Sequence, residues 1–97
     1  MSEQVMQLLD FVQEELEGAD DYAKLARHFR ASDSSLSRMY AEIAEQELLH
    51  VELLKNKASE LYSNEPHEQG IDRQLWLWEC ARVEHWADRI REKIENK

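Results

Sequence analysis

The stretch LSRMYAEIAEQELLHVELLKNKASEL, Leu36 to Leu61, contains neither glycine nor proline and repeats apolar residues at helical intervals. Leu36, Tyr40, Ile43, Leu54 and Leu61 fall on one face of a helix, with Met39, Val51 and Ala58 alongside. Two positions on that stripe are polar, Glu47 and His50. The stretch therefore predicts a long amphipathic helix interrupted by an acid and an imidazole.

Immediately upstream, Ala31-Ser32-Asp33-Ser34-Ser35 breaks the pattern and supplies N-cap side chains, so this helix is expected over about 34–62. An earlier helix is expected over about 3–29, with Ser2 as N-cap and Glu3 in its first turn. Its apolar positions are Val5, Leu8, Val12, Ala19, Tyr22, Ala26 and Phe29, widened to one side by Leu9, Leu16 and Ala23. Glu15 fills the one gap in this stripe. Downstream, the segment from Ser63 through Pro66 and His67 to Gly70 reads as a connection. A third helix is expected over about 71–93, with Trp76, Cys80, Val83, Ala87, Ile90 and Ile94 at heptad spacing, Trp78 off the stripe and Trp86 beside it.

Composition supports one all-α domain. The 97 residues include two Gly and one Pro, with 42% hydrophobic and 34% charged, which excludes collagen-like and low-complexity chains. Cys80 is the single cysteine, so neither an internal disulfide nor a cysteine-based zinc site is available. The net charge of −9, from 12 basic and 21 acidic residues, argues against nucleic acid and anionic membrane surfaces as partners. No apolar run approaches the roughly 18 residues of a membrane span, and no basic region precedes an apolar one at the N-terminus. A cytoplasmic location is the expectation.

Glu47-x-x-His50 puts two potential metal ligands about 5 to 6 Å apart on one helix face. Alone it decides little, because Glu fills 15 of the 97 positions among four His, and a chance Glu-x-x-His has a probability of about one half. Its setting raises its weight. Both residues occupy a stripe expected to face the core, where an unpartnered ionised carboxylate costs several kcal/mol. Glu15 interrupts the first stripe in the same way. With a reversal near Ser32, Glu15 lies 17 residues before the turn, and Glu47 and His50 lie 15 and 18 after it. At 1.5 Å per residue all three stand about 22 to 27 Å from the turn. Two carboxylates and an imidazole then converge in an apolar interior, an oxygen and nitrogen donor set suited to iron or manganese. The alternative is a buried polar cluster in which Glu15 and Glu47 share His50 as a cation and set helix register. The surplus negative charge favours a metal cation.

Glu15 followed by Tyr22 seven residues later, and Ala44-Glu45-Gln46-Glu47-Leu48-Leu49-His50 on the next helix, resemble the motifs of the ferritin-like superfamily. The chain is similar in layout to half of a rubrerythrin-type or ferritin-type bundle, to the short encapsulated ferritins, and to small bacterial and phage ferritin-like proteins with a Trp-bearing third helix. The resemblance spans about Glu14 to Leu61. It implies Glu15 and His50 as terminal iron ligands, Glu47 as a bridging carboxylate, and Tyr22 as a hydrogen-bonding or redox partner near the site. A complete di-iron site of this kind uses a Glu from each of two helices and a Glu-x-x-His from each of two others; this chain has one of each. A homodimer forming a four-helix ferritin-like bundle, with two iron (or manganese) ions per dimer, is the corresponding expectation. The activity implied is oxidation of Fe(II) by oxygen or peroxide. The opposing expectation is a non-enzymatic acidic helical module, for instance of phage origin, that binds a protein partner through its third helix.

Other residues rank lower. His28 and His67 are expected at the surface; His85, level with Glu47 but off the third stripe, is expected at the surface or in a partner contact rather than as a ligand. Glu79 borders that stripe within reach of Arg82 or Arg73. The three Trp are expected to pack in the core or an interface, and Cys80 to behave as a small buried hydrophobe.

Overall fold

The computed structural model describes residues 1–66 and 70–95. Over these residues the chain is all-helical: α1 spans Glu3–Phe29, α2 spans Ser34–Ser63 and α3 spans Ile71–Glu95. His67, in the second connection, lies outside the described residues.

Side chains start the first two helices. The Val5 N–H donates to Ser2 Oγ at 3.2 Å, and the Leu36 N–H donates to Asp33 Oδ1 at 3.0 Å. Each contact satisfies one of the amides that a helix N-terminus leaves without a partner. Residues 30–33 reverse the chain, and α2 returns antiparallel to α1. At the turn, Ser37 Oγ donates to the Ala26 carbonyl. At the far end, the Ser2 N–H reaches both Glu65 carboxylate oxygens at 3.2 Å.

The third helix runs in the same direction as α1 and packs chiefly on it. The Met1 ammonium meets Asp72, the Lys93 ammonium and Trp86 indole meet Asp20, and Arg30 donates to the Lys93 carbonyl at 2.9 Å. The result is an elongated body of 53 × 18 × 14 Å. No described helix is long and apolar enough to cross a membrane.

The core is built from small residues where α1 meets α2 and larger ones where α3 covers them. Ala19, Ala23 and Ala44 are fully buried, which lets the two long helices approach closely. Leu16, Leu48, Val83 and Ile90 fill the space around them. A second cluster closes the other end, where Trp76 stacks on Tyr62 with ring centroids 4.4 Å apart, beside Val5, Leu9 and Ala58.

The buried face takes in part of the stripes read in the sequence and leaves the rest half-covered. Leu8, Tyr22 and Phe29 of α1, and Leu36, Tyr40, Ile43, Leu54 and Leu61 of α2, are only half-buried. The fully covered face keeps Val5, Val12, Ala19 and Ala26 of the expected α1 stripe with Leu9, Leu16 and Ala23 beside them, and on α2 it runs through Ala44, Leu48, Val51, Ala58 and Tyr62. The reason is that α3 can cover only one side of the hairpin, and the flank that it covers becomes the core. The opposite side keeps the half-buried apolar stripe. On α3 the expected residues Trp76, Val83, Ala87 and Ile90 are buried, while Cys80 is only half-buried and Trp78 is exposed.

Candidate metal centre

Glu15 of α1 and Glu47 and His50 of α2 come together at mid-height of the hairpin. Each offers a ligand atom, and these atoms all lie within 4.8 Å of one another. His50 Nδ1 stands 3.4 Å from Glu15 Oε2. The antiparallel pairing of α1 and α2 produces this convergence across 35 residues of sequence.

The cluster is not interior. Both carboxylates are half-buried and the His50 side chain is 53% exposed, so the expectation of an apolar enclosure is corrected. The cluster sits on the half-buried stripe, on the face of the hairpin turned away from α3. That placement has a physical basis, because two carboxylates in a dry core would carry a desolvation cost that one imidazole cannot offset. It also weakens the reading of the cluster as a buried register-setting device.

The electrostatics are those of a site short of positive charge. A hydrogen bond with Glu15 pushes the Glu47 carboxyl above its ordinary range, burial and the Glu15 charge push it the same way, and His50 partly opposes them. Two acids held this close share a proton more readily than they ionise together. A cation placed among the three atoms would remove that repulsion. The donor set, two carboxylate oxygens and an imidazole nitrogen, suits iron or manganese.

Space at the cluster comes from a residue that its own helix pattern does not mark. Gly18 lies one turn beyond Glu15, and a Cβ built there would meet Glu47 Oε2 at 3.5 Å. The available signal was a glycine in the middle of a long helix, which costs about 1 kcal/mol relative to alanine.

Tyr22 is placed on the same face but not in the cluster. It stacks on Tyr40 with centroids 6.0 Å apart, and Tyr40 stacks on Phe29 at 6.0 Å. Among the described residues no hydrogen bond joins Tyr22 to Glu15, Glu47 or His50. The other candidates lie apart from the cluster. His28 and His85 are exposed, and Glu79 accepts from Arg82 at 3.1 Å. Arg82 also lies over the rings of Trp78 and Trp86, at 5.8 and 5.9 Å. Burial pushes the Cys80 thiol above its ordinary range, which makes it less reactive.

In comparisons with known proteins, no family model, curated protein or solved structure matches this chain.

Proposed function

We propose that the protein is a ferritin-like, non-haem iron protein that oxidises Fe(II) at a carboxylate-bridged site formed between two copies of the chain, with manganese as the other metal its ligands suit. The single observation that carries this reading is the meeting of Glu15, Glu47 and His50 within 4.8 Å on the face that α3 leaves open. Three ligands cannot saturate two metal ions. A two-fold axis at this face doubles the set to four Glu and two His, the complement a di-iron bundle requires. The half-buried apolar residues around the cluster, Tyr22, Tyr40, Ile43 and Leu54 among them, supply the matching surface, and α1 and α2 of two copies make the four helices.

In this reading Glu15, Glu47 and His50 of each copy would hold the metals, with Glu47 shared between them as the ferritin-like resemblance implies. Glu47 titrates above its ordinary range beside Glu15, so acid would compete with a cation for this site. Iron held there would supply one-electron chemistry: two Fe(II) would reduce dioxygen and two protons to hydrogen peroxide, or hydrogen peroxide and two protons to two waters. Enclosure by the second copy excludes bulk water from the carboxylates and strengthens their hold on the oxidised metal.

Elemental analysis of the purified protein, then aerobic Fe(II) addition followed by ferric absorbance, tests the reading. It expects about two ions per dimer and a shift from monomer to dimer on metal addition in analytical ultracentrifugation. His50→Ala should abolish uptake. A stoichiometry near zero, or uptake unaltered in His50→Ala, would overturn it.

A further inference from the structure

The outer side of α3 carries an apolar surface of its own, apart from the metal cluster. Ile71, Leu75, Trp78, Arg82, His85 and Arg89 recur at intervals of four and three, the spacing of a helix that pairs with another helix. Three apolar residues on this line are followed by two arginines and a histidine. Ile71, Leu75 and Trp78, with Met6 of α1, are each between 48% and 77% exposed. Met6 and Leu75 line one cavity between α1 and α3, together with Asp10 and Arg82, and Arg82 lies over the Trp78 ring. The four apolar side chains thus form one patch that faces solvent.

Its size is that of an interface. At about 200 Å² per large side chain, these exposures leave about 500 Å² of apolar surface. The largest patch on a monomer is about 300 to 600 Å² and is often functional. One partner in a specific interface gives up about 800 Å², of which about 60% is apolar.

Charge selects the occupant. Residues 1–70 hold fifteen acidic and six basic residues and so carry the whole net charge of −9, whereas residues 71–97 hold six of each. Two copies of this acidic chain can therefore meet along α3 without net repulsion. The two ends of the patch also differ in sign. Glu3 and Asp10 line a cavity with Met6 at one end, and Arg82 and Arg89 follow Trp78 at the other. An antiparallel pairing lays the basic end of one copy over the acidic end of the next.

We propose that this face of α3 joins two copies of the chain, antiparallel across a two-fold axis between Leu75 and Trp78. Leu75 then packs on the partner's Trp78, and the partner's Arg82 comes level with Ile71 and Glu3. Symmetry makes each contact twice. With one aromatic anchor per copy the association is weak, with a Kd of about 50 µM. It uses neither the open hairpin face nor a metal, so it stands whether or not the iron reading does.

The test is sedimentation of the metal-free full chain, in chelator, from about 5 µM to about 1 mM. The average mass should rise from one copy and level at two, and it should rise equally in His50→Ala. Trp78→Ala and Leu75→Ser should each weaken the association about tenfold or more. Leu53→Ser removes a more exposed leucine from α2 and should change it by no more than about twofold. Circular dichroism confirms that each variant remains folded. A chain that stays monomeric at about 1 mM would overturn the proposal and leave the patch to a different protein. Growth beyond two copies, or equal weakening by Leu53→Ser, would overturn it as unspecific aggregation.

Discussion

A methyl group placed on Gly18 would stand 3.5 Å from the Glu47 carboxylate oxygen, an ordinary contact rather than a clash. The glycine is therefore not required for the helix to fold. It leaves space beside the carboxylate that a methyl would fill. Gly18→Ala should stabilise the metal-free protein by about 1 kcal/mol through helix propensity, or about 4 to 8 °C in Tm. The same change should weaken Fe(II) binding, because Glu47 would be held against the methyl. Thermal unfolding and metal titration of the same preparation check both. Unchanged metal affinity would mean that the space beside Glu47 has no part in binding.

Glu47 should lower stability at neutral pH in the metal-free protein. Its folded carboxyl titrates above its ordinary range, chiefly through the bond with Glu15. The folded state therefore binds more protons than the unfolded one, and stability falls as pH rises from the ordinary Glu range through the raised one. Glu47→Gln donates to Glu15 without charge. It should be more stable than the parent at pH 7, the difference should vanish at about pH 4, and metal uptake should be lost. Urea unfolding at both pH values provides the comparison.

Asp20 should support the acid limb of stability. Burial opposes its ionisation, but the Lys93 hydrogen bond and the Lys93 and Lys24 charges hold the carboxyl below its ordinary range. Its contribution is then present above the unfolded value and lost as pH falls through the folded one, below about pH 4. Asp20→Asn should cost about 1 kcal/mol at pH 7, the upper range for ion pairs near a surface, and nothing at pH 2. A loss that persists at pH 2 would assign the effect to packing against Trp86 instead.

Trp76 should matter more than Trp78. It is 7% exposed and stacked on Tyr62, whereas Trp78 is 60% exposed. Trp76→Ala should cost about 3 to 5 kcal/mol; Trp78→Ala should stay within about 0.5 kcal/mol. Chemical denaturation separates the two outcomes clearly.

Fold class was legible in local chemistry. Glycine and proline are nearly absent, Ser2 and Asp33 are capping types placed ahead of apolar runs, and 3.6-residue spacing marks all three helices. The convergence of Glu15 with Glu47 and His50 was legible too, because helical rise and one reversal set their level. The roles of Gly18 and Asp20 were not legible. Nothing local says that a glycine faces a carboxylate one helix away, or that Asp20 meets Lys93 across 73 residues.

What the sequence determined by itself is periodicity: which residues share a face, where helices begin, and which heights coincide across a turn. These depend on backbone geometry that every residue carries. The tertiary structure alone decided which apolar face became the core. Both long helices carry apolar arcs wider than one neighbour can cover, and α3 buried the flank with Leu16, Ala23, Leu48 and Val51. The other flank stayed at the surface with its two acids and its imidazole. A side chain's burial depends on what arrives from a distant part of the chain, and spacing along one helix does not encode that arrival.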